Sequence, residues 1–339
     1  MDRNLRVAVK NWLRLPSDTA DAFLYAKAED GGLEVPCLSV RIPLMRKARI
    51  EKLSRSTDPA VLAAAQGRNV LSDLRYWCRP VLAGDVVVGS NEEANKAFAT
   101  ALWRTVDGCG LRPATEYPKC NRWPVVSADW ISGSDYIKAI QVRASTLSTP
   151  LRSSRGRPGV PSTCTMCGVS ASLGHMSQAC PRTHGLRIKR HDDVLGKVCS
   201  ELGKKGWRTL REPPIPYDGS YLKPDLIIWK EGTEAQILDV QVVADAFSMG
   251  PAHSRKVEKY GSAGFKARVR ELVGVPVGRV SSVTLNWRGQ WHKASARDLE
   301  RLGLSLGHLM VMSVKVLSWT HNMWKCWSRS GVAARRFNP

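Results

Sequence analysis

Four nitrogen and sulfur donors crowd one short stretch of this chain, in the order Cys164-x2-Cys167-x7-His175-x4-Cys180. Zinc takes about four such ligands in a tetrahedron, and closely spaced cysteines and histidines deliver them from a tight loop. Thr163, Thr165 and Gly168 are the small residues that a knuckle of this kind tolerates. The flanking sequence has too few apolar residues to hold a fold without a staple, so a structural zinc ion is expected here. His184 competes for the fourth position, because Cys180-x3-His184 is also a workable pair. A chance cluster of thiols in a loop is the bland alternative. The ligand set by itself does not separate RNA, DNA or protein as the partner.

Charge narrows the partner. Lys and Arg number 51 against 30 Asp and Glu, a net charge of +21. Such an excess speaks to partners and solubility, not to fold. From Tyr136 to His191 there is no acidic residue, yet the span carries Lys138, Arg143, Arg152, Arg155, Arg157, Arg182, Arg187, Lys189 and Arg190. Such a run cannot be an ordinary salt-bridged surface. Arg152, Arg155, Arg157, Arg187, Lys189 and Arg190 are the candidate phosphate contacts, set against the alternative of a solvated linker. A membrane surface is the weaker partner, since no apolar run approaches ~18 residues and no lipidation motif is present. Met1-Asp2-Arg3-Asn4 opens without an apolar signal region, so secretion is not expected. The nine cysteines are odd in number and form no regular framework, which suggests a reducing compartment with zinc.

At 339 residues the chain has length for two or three domains. Residues 3–14 carry an apolar stripe, Leu5, Ala8, Val9, Trp12 and Leu13, opposite a basic one, and Pro16 ends that helix. Residues 41–66 and 91–105 read as helical, the former with Met45, Ala48 and Leu53 inward. Gly, Pro and turn residues over 107–133 suggest a loop or linker, with a helix from Ser134. Beyond the knuckle, 186–204 reads as a helix. Strands follow at 222–229 and 235–243, joined by Lys230-Glu231-Gly232-Thr233. A helix at 254–273, a strand at 279–291, a helix at 295–302 and an apolar strand or helix at 307–318 complete the pattern.

Two aspartates stand in the strand-like runs. Asp225 follows Pro224 ahead of Leu226-Ile227-Ile228-Trp229, and Asp239 interrupts Ile237-Leu238-Asp239-Val240. A hairpin about residue 232 brings them to one end of a sheet. A carboxylate in such a run is costly unless it meets a cation. Two neighbouring carboxylates repel, and magnesium relieves that while activating water against a phosphodiester. Cleavage of this kind also needs a positive side chain near the phosphate. Gln241 stands two residues after Asp239, where a lysine is expected, so the cation is sought on the next helix, in Lys256 or alternatively Lys259. His191 could orient water or phosphate. Asp192 is either a further metal ligand or a helix-start carboxylate.

Together the zinc set, Lys189-Arg190-His191-Asp192, Lys223-Pro224-Asp225, Leu238-Asp239-Val240-Gln241 and Lys256-Val-Glu-Lys259-Tyr260 resemble the C-terminal part of Pol proteins of site-specific non-LTR retrotransposons. The likeness is to the restriction-like endonuclease class, in the group that inserts into ribosomal DNA. Val9-Lys-Asn-Trp12-Leu-Arg-Leu15-Pro16 and Asp30-Gly-Gly-Leu33 resemble the thumb and linker after its reverse transcriptase. Ser153-Ser-Arg155-Gly-Arg157-Pro158 resembles its basic segment before the knuckle. The resemblance implies an enzyme that nicks target DNA so that the 3′ hydroxyl primes reverse transcription of element RNA. Asp225 and Asp239 would carry the magnesium of a PD-(D/E)xK site with its lysine displaced. It also implies a nuclear setting. One departure is plain: a polymerase palm needs Tyr/Phe-x-Asp-Asp, and the nearest run, Val243-Ala-Asp245-Ala, lacks the second aspartate. A fragment without the palm and the N-terminal DNA-binding fingers is therefore expected.

The expected fold is α+β and multidomain. A thumb-like helical region (1–66) precedes a helical linker (67–160), a CCHC zinc knuckle (161–185), an α/β restriction-like endonuclease (186–329) and a tail (330–339). A non-catalytic fragment that positions RNA and DNA is the alternative, separated from the nuclease only by the Asp225, Asp239 and Lys256 set.

Overall fold

The structure, a computed structural model, describes residues 1–67, 79–126, 129–245 and 248–336. Residues 337–339 of the expected tail lie outside them. The chain divides into two compact units, 1–109 and 110–339. No helix among the described residues is long and apolar enough to cross a membrane.

The first unit holds α1 (Asp2–Trp12), α2 (Asp21–Tyr25), α3 (Leu38–Ser54), α4 (Pro59–Gly67), α5 (Asn91–Arg104) and an antiparallel hairpin of β1 (Val81–Ala83) and β2 (Val86–Val88). Its core includes Phe23, Leu24, Val40, Leu44, Phe98 and Leu102, with the Tyr25 and Phe98 rings 5.2 Å apart. The Asp2 carboxylate accepts from the Leu38 and Ser39 amides at 2.8 and 2.9 Å, so α1 caps the start of α3. Two expectations shift. No residue of α1 is fully buried, and Trp12 is exposed. In α3 the buried stripe is Val40, Leu44 and Ile50, while Met45 and Ala48 face solvent.

The second unit begins where a loop was expected. Tight 3-10 turns at Cys109–Glu116 and Pro118–Arg122 bury Leu111, Ala114, Cys120 and Trp123. These turns lack a 3.6-residue period, which is why the sequence pattern hides them. Then come α6 (Gly133–Arg143), α7 (Pro150–Ser153), α8 (Leu173–Gln178), α9 (His184–Lys204), β3 (Arg208–Arg211), β4 (Ile215–Tyr217), β5 (Ser220–Leu222), β6 (Leu226–Trp229) and β7 (Ala235–Val243). They are followed by α10 (Met249–Gly261), α11 (Ala263–Val273), β8 (Val277–Asn286), α12 (Lys293–Arg301) and α13 (Leu306–Arg336).

Four strands form one sheet in the order β3-β6-β7-β8, antiparallel except for the parallel pair β7 and β8. Alternation along β7 sorts its two faces. Leu238 and Val240 join Val194, Val198 and Leu299 beneath α9 and α12. Ile237 and Ala235 join Tyr260, Phe265 and Val269 beneath α10 and α11. The single helix expected over 254–273 is two, broken at Ser262, whose hydroxyl caps α11 through the Phe265 amide at 3.2 Å.

The segment read as an apolar strand or helix at 307–318 lies within α13, which at 31 residues is about 46 Å long. It lays Leu309, Met312 and Val316 on the sheet's core and, further along, Trp327 on the cysteine cluster.

A buried polar joint fastens the former linker to the sheet. Arg288 is 5% exposed; it donates to Asp245 Oδ2 at 2.5 Å and to the Arg143 carbonyl at 2.9 Å. Gln290 donates to the Leu111 carbonyl at 3.0 Å. Removing one partner of such a pair leaves a buried charge uncompensated, so Arg288→Ala should cost about 3–5 kcal/mol. Urea denaturation would read this, and a loss below about 1 kcal/mol would place the pair among inconsequential ones.

Candidate active site and metal centre

The register of the central hairpin builds the first site. Leu226 pairs with Leu238 across β6 and β7, so the next step past the strand end sets Asp225 opposite Asp239. Asp239 is 2% exposed and points to the α10 face. Lys256 on α10 brings its Nζ to 2.7 Å from Asp239 Oδ1. Asp225 Oδ2 accepts from the Val240 amide at 2.6 Å and lies 3.0 Å from His191 Nε2, which descends from α9. The other ring nitrogen of His191 lies 3.2 Å from Asp192 Oδ1. Asp192 is 52% exposed, so it orients His191 from outside and does not join the two carboxylates.

Electrostatics separates the two aspartates. Burial raises the Asp239 carboxyl, the Asp225 charge raises it further, and Lys256 only partly offsets them. Burial also acts on Asp225, but the bonds from His191 and the Val240 amide outweigh it and bring the carboxyl below its usual value. His191 is lifted to about 9, chiefly by its bond to Asp225. This donor set suits a hard divalent cation: two carboxylates, one buried and destabilised by the other.

Lys259, the alternative cation, is exposed and sits 4.8 Å over the Tyr260 ring. Gln241 donates to Thr284 Oγ1 on β8 at 2.8 Å, so the side chain at the expected lysine position braces the sheet. Sequence reasoning gave no role to Tyr260. Its hydroxyl lies beside Asp239 and donates to the Lys223 carbonyl at 3.0 Å, and burial with that carboxylate holds its proton on. Its position one turn after Lys256 was the available signal.

The second site is the cysteine cluster. Donor atoms of Cys164, Cys167, His175 and Cys180 all lie within 4.8 Å of one another. The Cys180 sulfur is 4.0 Å from those of Cys164 and Cys167. A tetrahedron with zinc–sulfur bonds of about 2.3 Å sets sulfurs about 3.8 Å apart. The buried His175 Nε2 has no hydrogen-bond partner in the described residues. Burial opposes ionisation of Cys164, yet the Met166 amide and His175 bring its thiol down to about 6. The four residues therefore fit a zinc ion. His184 stands outside the cluster, with its Nδ1 3.2 Å from Arg187.

The basic residues divide. Arg155, Arg157 and Lys189 are exposed, and Arg152 is half-buried. Arg187 donates to the Cys180 carbonyl at 2.8 Å, bracing the knuckle. Arg190 is not a surface contact: it is 3% exposed and donates to Gln178 Oε1 at 3.3 Å, while Gln178 donates to the Val243 carbonyl at 3.2 Å. It packs where α8, α9 and the end of β7 meet.

No family model matches the chain. It is 33% identical over 336 residues to the Pol polyprotein of the type-1 retrotransposable element R2 of Bradysia coprophila, covering 97% of this chain and 38% of that protein. It is 30% identical over 321 residues to the counterpart from the type-2 element R2DM of Drosophila melanogaster, covering 93% and 30%. Against the type-1 R2 protein of Nasonia vitripennis it is 30% identical over 342 residues, covering 99% and 32%. The chain thus spans about a third of the length of these relatives. With homologues at 28–33% identity over most of its length named in this way, the chain is part of an R2-type non-LTR retrotransposon Pol protein.

Proposed function

We propose that this chain carries the DNA endonuclease of its Pol protein. The reaction is magnesium-dependent nicking of one target strand, and ribosomal DNA is the target that its motifs suggest. The convergence of Asp225, Asp239, Lys256 and His191 where β6 begins beside the middle of β7 carries this reading. A sheet with helices on both faces, paired carboxylates and an adjacent lysine supports a restriction-like core, with the cation moved from position 241 to Lys256.

Magnesium held by Asp225 and Asp239 would supply an activated water and charge neutralisation. Hydrolysis adds the water oxygen to phosphorus and breaks the bond to the 3′ oxygen, which leaves a primer for reverse transcription of element RNA. Lys256, tethered to Asp239, is placed to neutralise the attacked phosphate. His191, fixed between Asp225 and Asp192, orients the first carboxylate. Zinc in the CCHC knuckle is structural, and Arg152, Arg155, Arg157 and Lys189 lend it a basic flank toward nucleic acid.

Lys256 tests the assignment of roles. Lys256→Ala should slow magnesium-dependent nicking about 10²-fold or more, as loss of a preorganised charge does. Lys259→Ala, which removes an exposed charge, should slow it no more than about fivefold. Equal losses in the two variants, read as rates on supercoiled plasmid, would remove Lys256 from the site.

A further inference from the structure

The hairpin of β4 and β5 ends three residues before Asp225 and takes no part in the four-stranded sheet. Asp218 and Gly219, with φ of +48° and +68°, form its turn, the left-handed pair that gives a two-residue hairpin a fixed twist. One face packs inward: Ile215, Tyr217 and Leu222 join the core under α11. The other face presents Pro216 and Tyr221, directly paired across the strands. Tyr221 is 68% exposed.

The hairpin is bolted to the candidate catalytic helix at two points. The Tyr217 hydroxyl lies 2.9 Å from Ser262 Oγ, at the junction of α10 and α11. The Lys223 carbonyl, one residue past β5, accepts from the Tyr260 hydroxyl, which itself lies beside Asp239. Gly264 makes the seat, because a Cβ there would stand 3.3 Å from the Tyr217 ring. Tyr221 is thus an exposed ring on a rigid mount, registered to the candidate catalytic residues.

Reach follows from chain geometry. Tyr221 stands four positions before Asp225 in the chain, at most about 14 Å of extended backbone. One strand of B-form DNA advances about 3.4 Å per nucleotide, so that backbone separation is at most about four nucleotides long. Lys223 pairs with Glu212 and Arg268 with Glu271, and the third charge beside the ring is the carboxylate of Asp218 in the turn. A cavity of about 520 Å³ opens beside the ring between the hairpin and Gly264 and Arg268 of α11. Contact at this spot therefore comes from the face of the ring, while the net charge of +21 brings the DNA.

Resting on the endonuclease reading, we propose that Tyr221 is a positioning residue that stacks on a base turned out of the duplex next to the cleaved bond. Base–aromatic stacking tolerates any base, so it fixes the position of the strand without reading its sequence.

The test uses the full chain and duplex DNA of random sequence substituted with 5-iododeoxyuridine, irradiated in calcium so that binding is read without cleavage. The crosslinked peptide should carry its adduct on Tyr221. Magnesium-dependent nicking should fall roughly tenfold in Tyr221→Ala and return in Tyr221→Trp. Absence of an adduct on Tyr221 overturns the proposal, whether adducts form elsewhere or not at all. So does Tyr221→Ala nicking at the wild-type rate. Failure of the endonuclease reading shows separately, as nicking that persists in Asp225→Ala, and the crosslink is then still read on its own.

Discussion

Stripping zinc from the cysteine cluster, by chelation or by Cys180→Ala, should unfold residues 161–185 while the four-stranded sheet persists. Structural zinc contributes about 10–16 kcal/mol of apparent binding free energy, as much as a whole domain's stability of roughly 5–15 kcal/mol. Besides the metal, only packing on α13 and a few bonds, among them those from Arg187 to the Cys180 carbonyl and from Gln178 to the Val243 carbonyl, hold the module. Its own buried residues are Cys164, Ala171, Leu173, Met176 and Cys180 with the polar Ser177 and Thr183, and Trp327 closes over the cluster with Trp324 at the side. Neither core flanking the sheet contains a knuckle residue. Metal loss should therefore shift tryptophan emission to the red as Trp327 and Trp324 meet water. It should also open residues 161–185 to protease and leave the far-ultraviolet strand signal in place. Unchanged emission and an unchanged cleavage map after complete zinc removal would mean that packing on α13 is sufficient.

Asp239→Asn should separate activity from stability. Loss of the carboxylate proposed to hold magnesium should slow nicking about 10³-fold or more, equivalent to about 4 kcal/mol at the transition state. The folded protein should lose nothing. Asp239 is 2% exposed, and its charged form is opposed by burial and by Asp225. The neutral amide removes that repulsion, and Lys256, 31% exposed, can return its charge to water. In metal-free buffer the variant should melt at or above the wild-type temperature, the signature of a group kept for function. Asp225→Ala should differ. It leaves the buried Val240 amide and the His191 ring without their acceptor, so activity and stability should fall together. Nicking by Asp239→Asn within about tenfold of wild type would show that the carboxylate holds no catalytic metal.

Much of this site is written locally in the sequence. Alternation around Asp239 and the turn at Lys230–Thr233 define a hairpin, and a hairpin leaves one place for Asp225. The cysteine spacing likewise closes within one short segment. What was hidden depends on contacts between distant segments. Lys256 and Lys259 share a helix, and only the packing of α10 on β7 turns one to Asp239 and the other to the Tyr260 ring. The 3-10 turns of 109–122 carry no period to read, and Trp123 and Leu111 gave no sign of being core. Arg190 is a different case. It falls at i−4 and i−8 from the buried Val194 and Val198, so the helical stripe already placed it inside. Charge suggested a phosphate contact there, but helix geometry decided its position. The β4–β5 turn was equally available in Asp218-Gly219, and its strands are too short to stand out by alternation.

Supercoiled plasmid carrying ribosomal DNA, incubated with the protein and magnesium, tests the paired-aspartate site most directly. The expected result is conversion to nicked circle that requires magnesium, stops in Asp225→Ala and Asp239→Ala, and leaves 3′ ends that a polymerase extends. Nicking that survives either substitution, or a zinc-loaded wild type that binds the plasmid yet never nicks it in magnesium, would contradict the assignment.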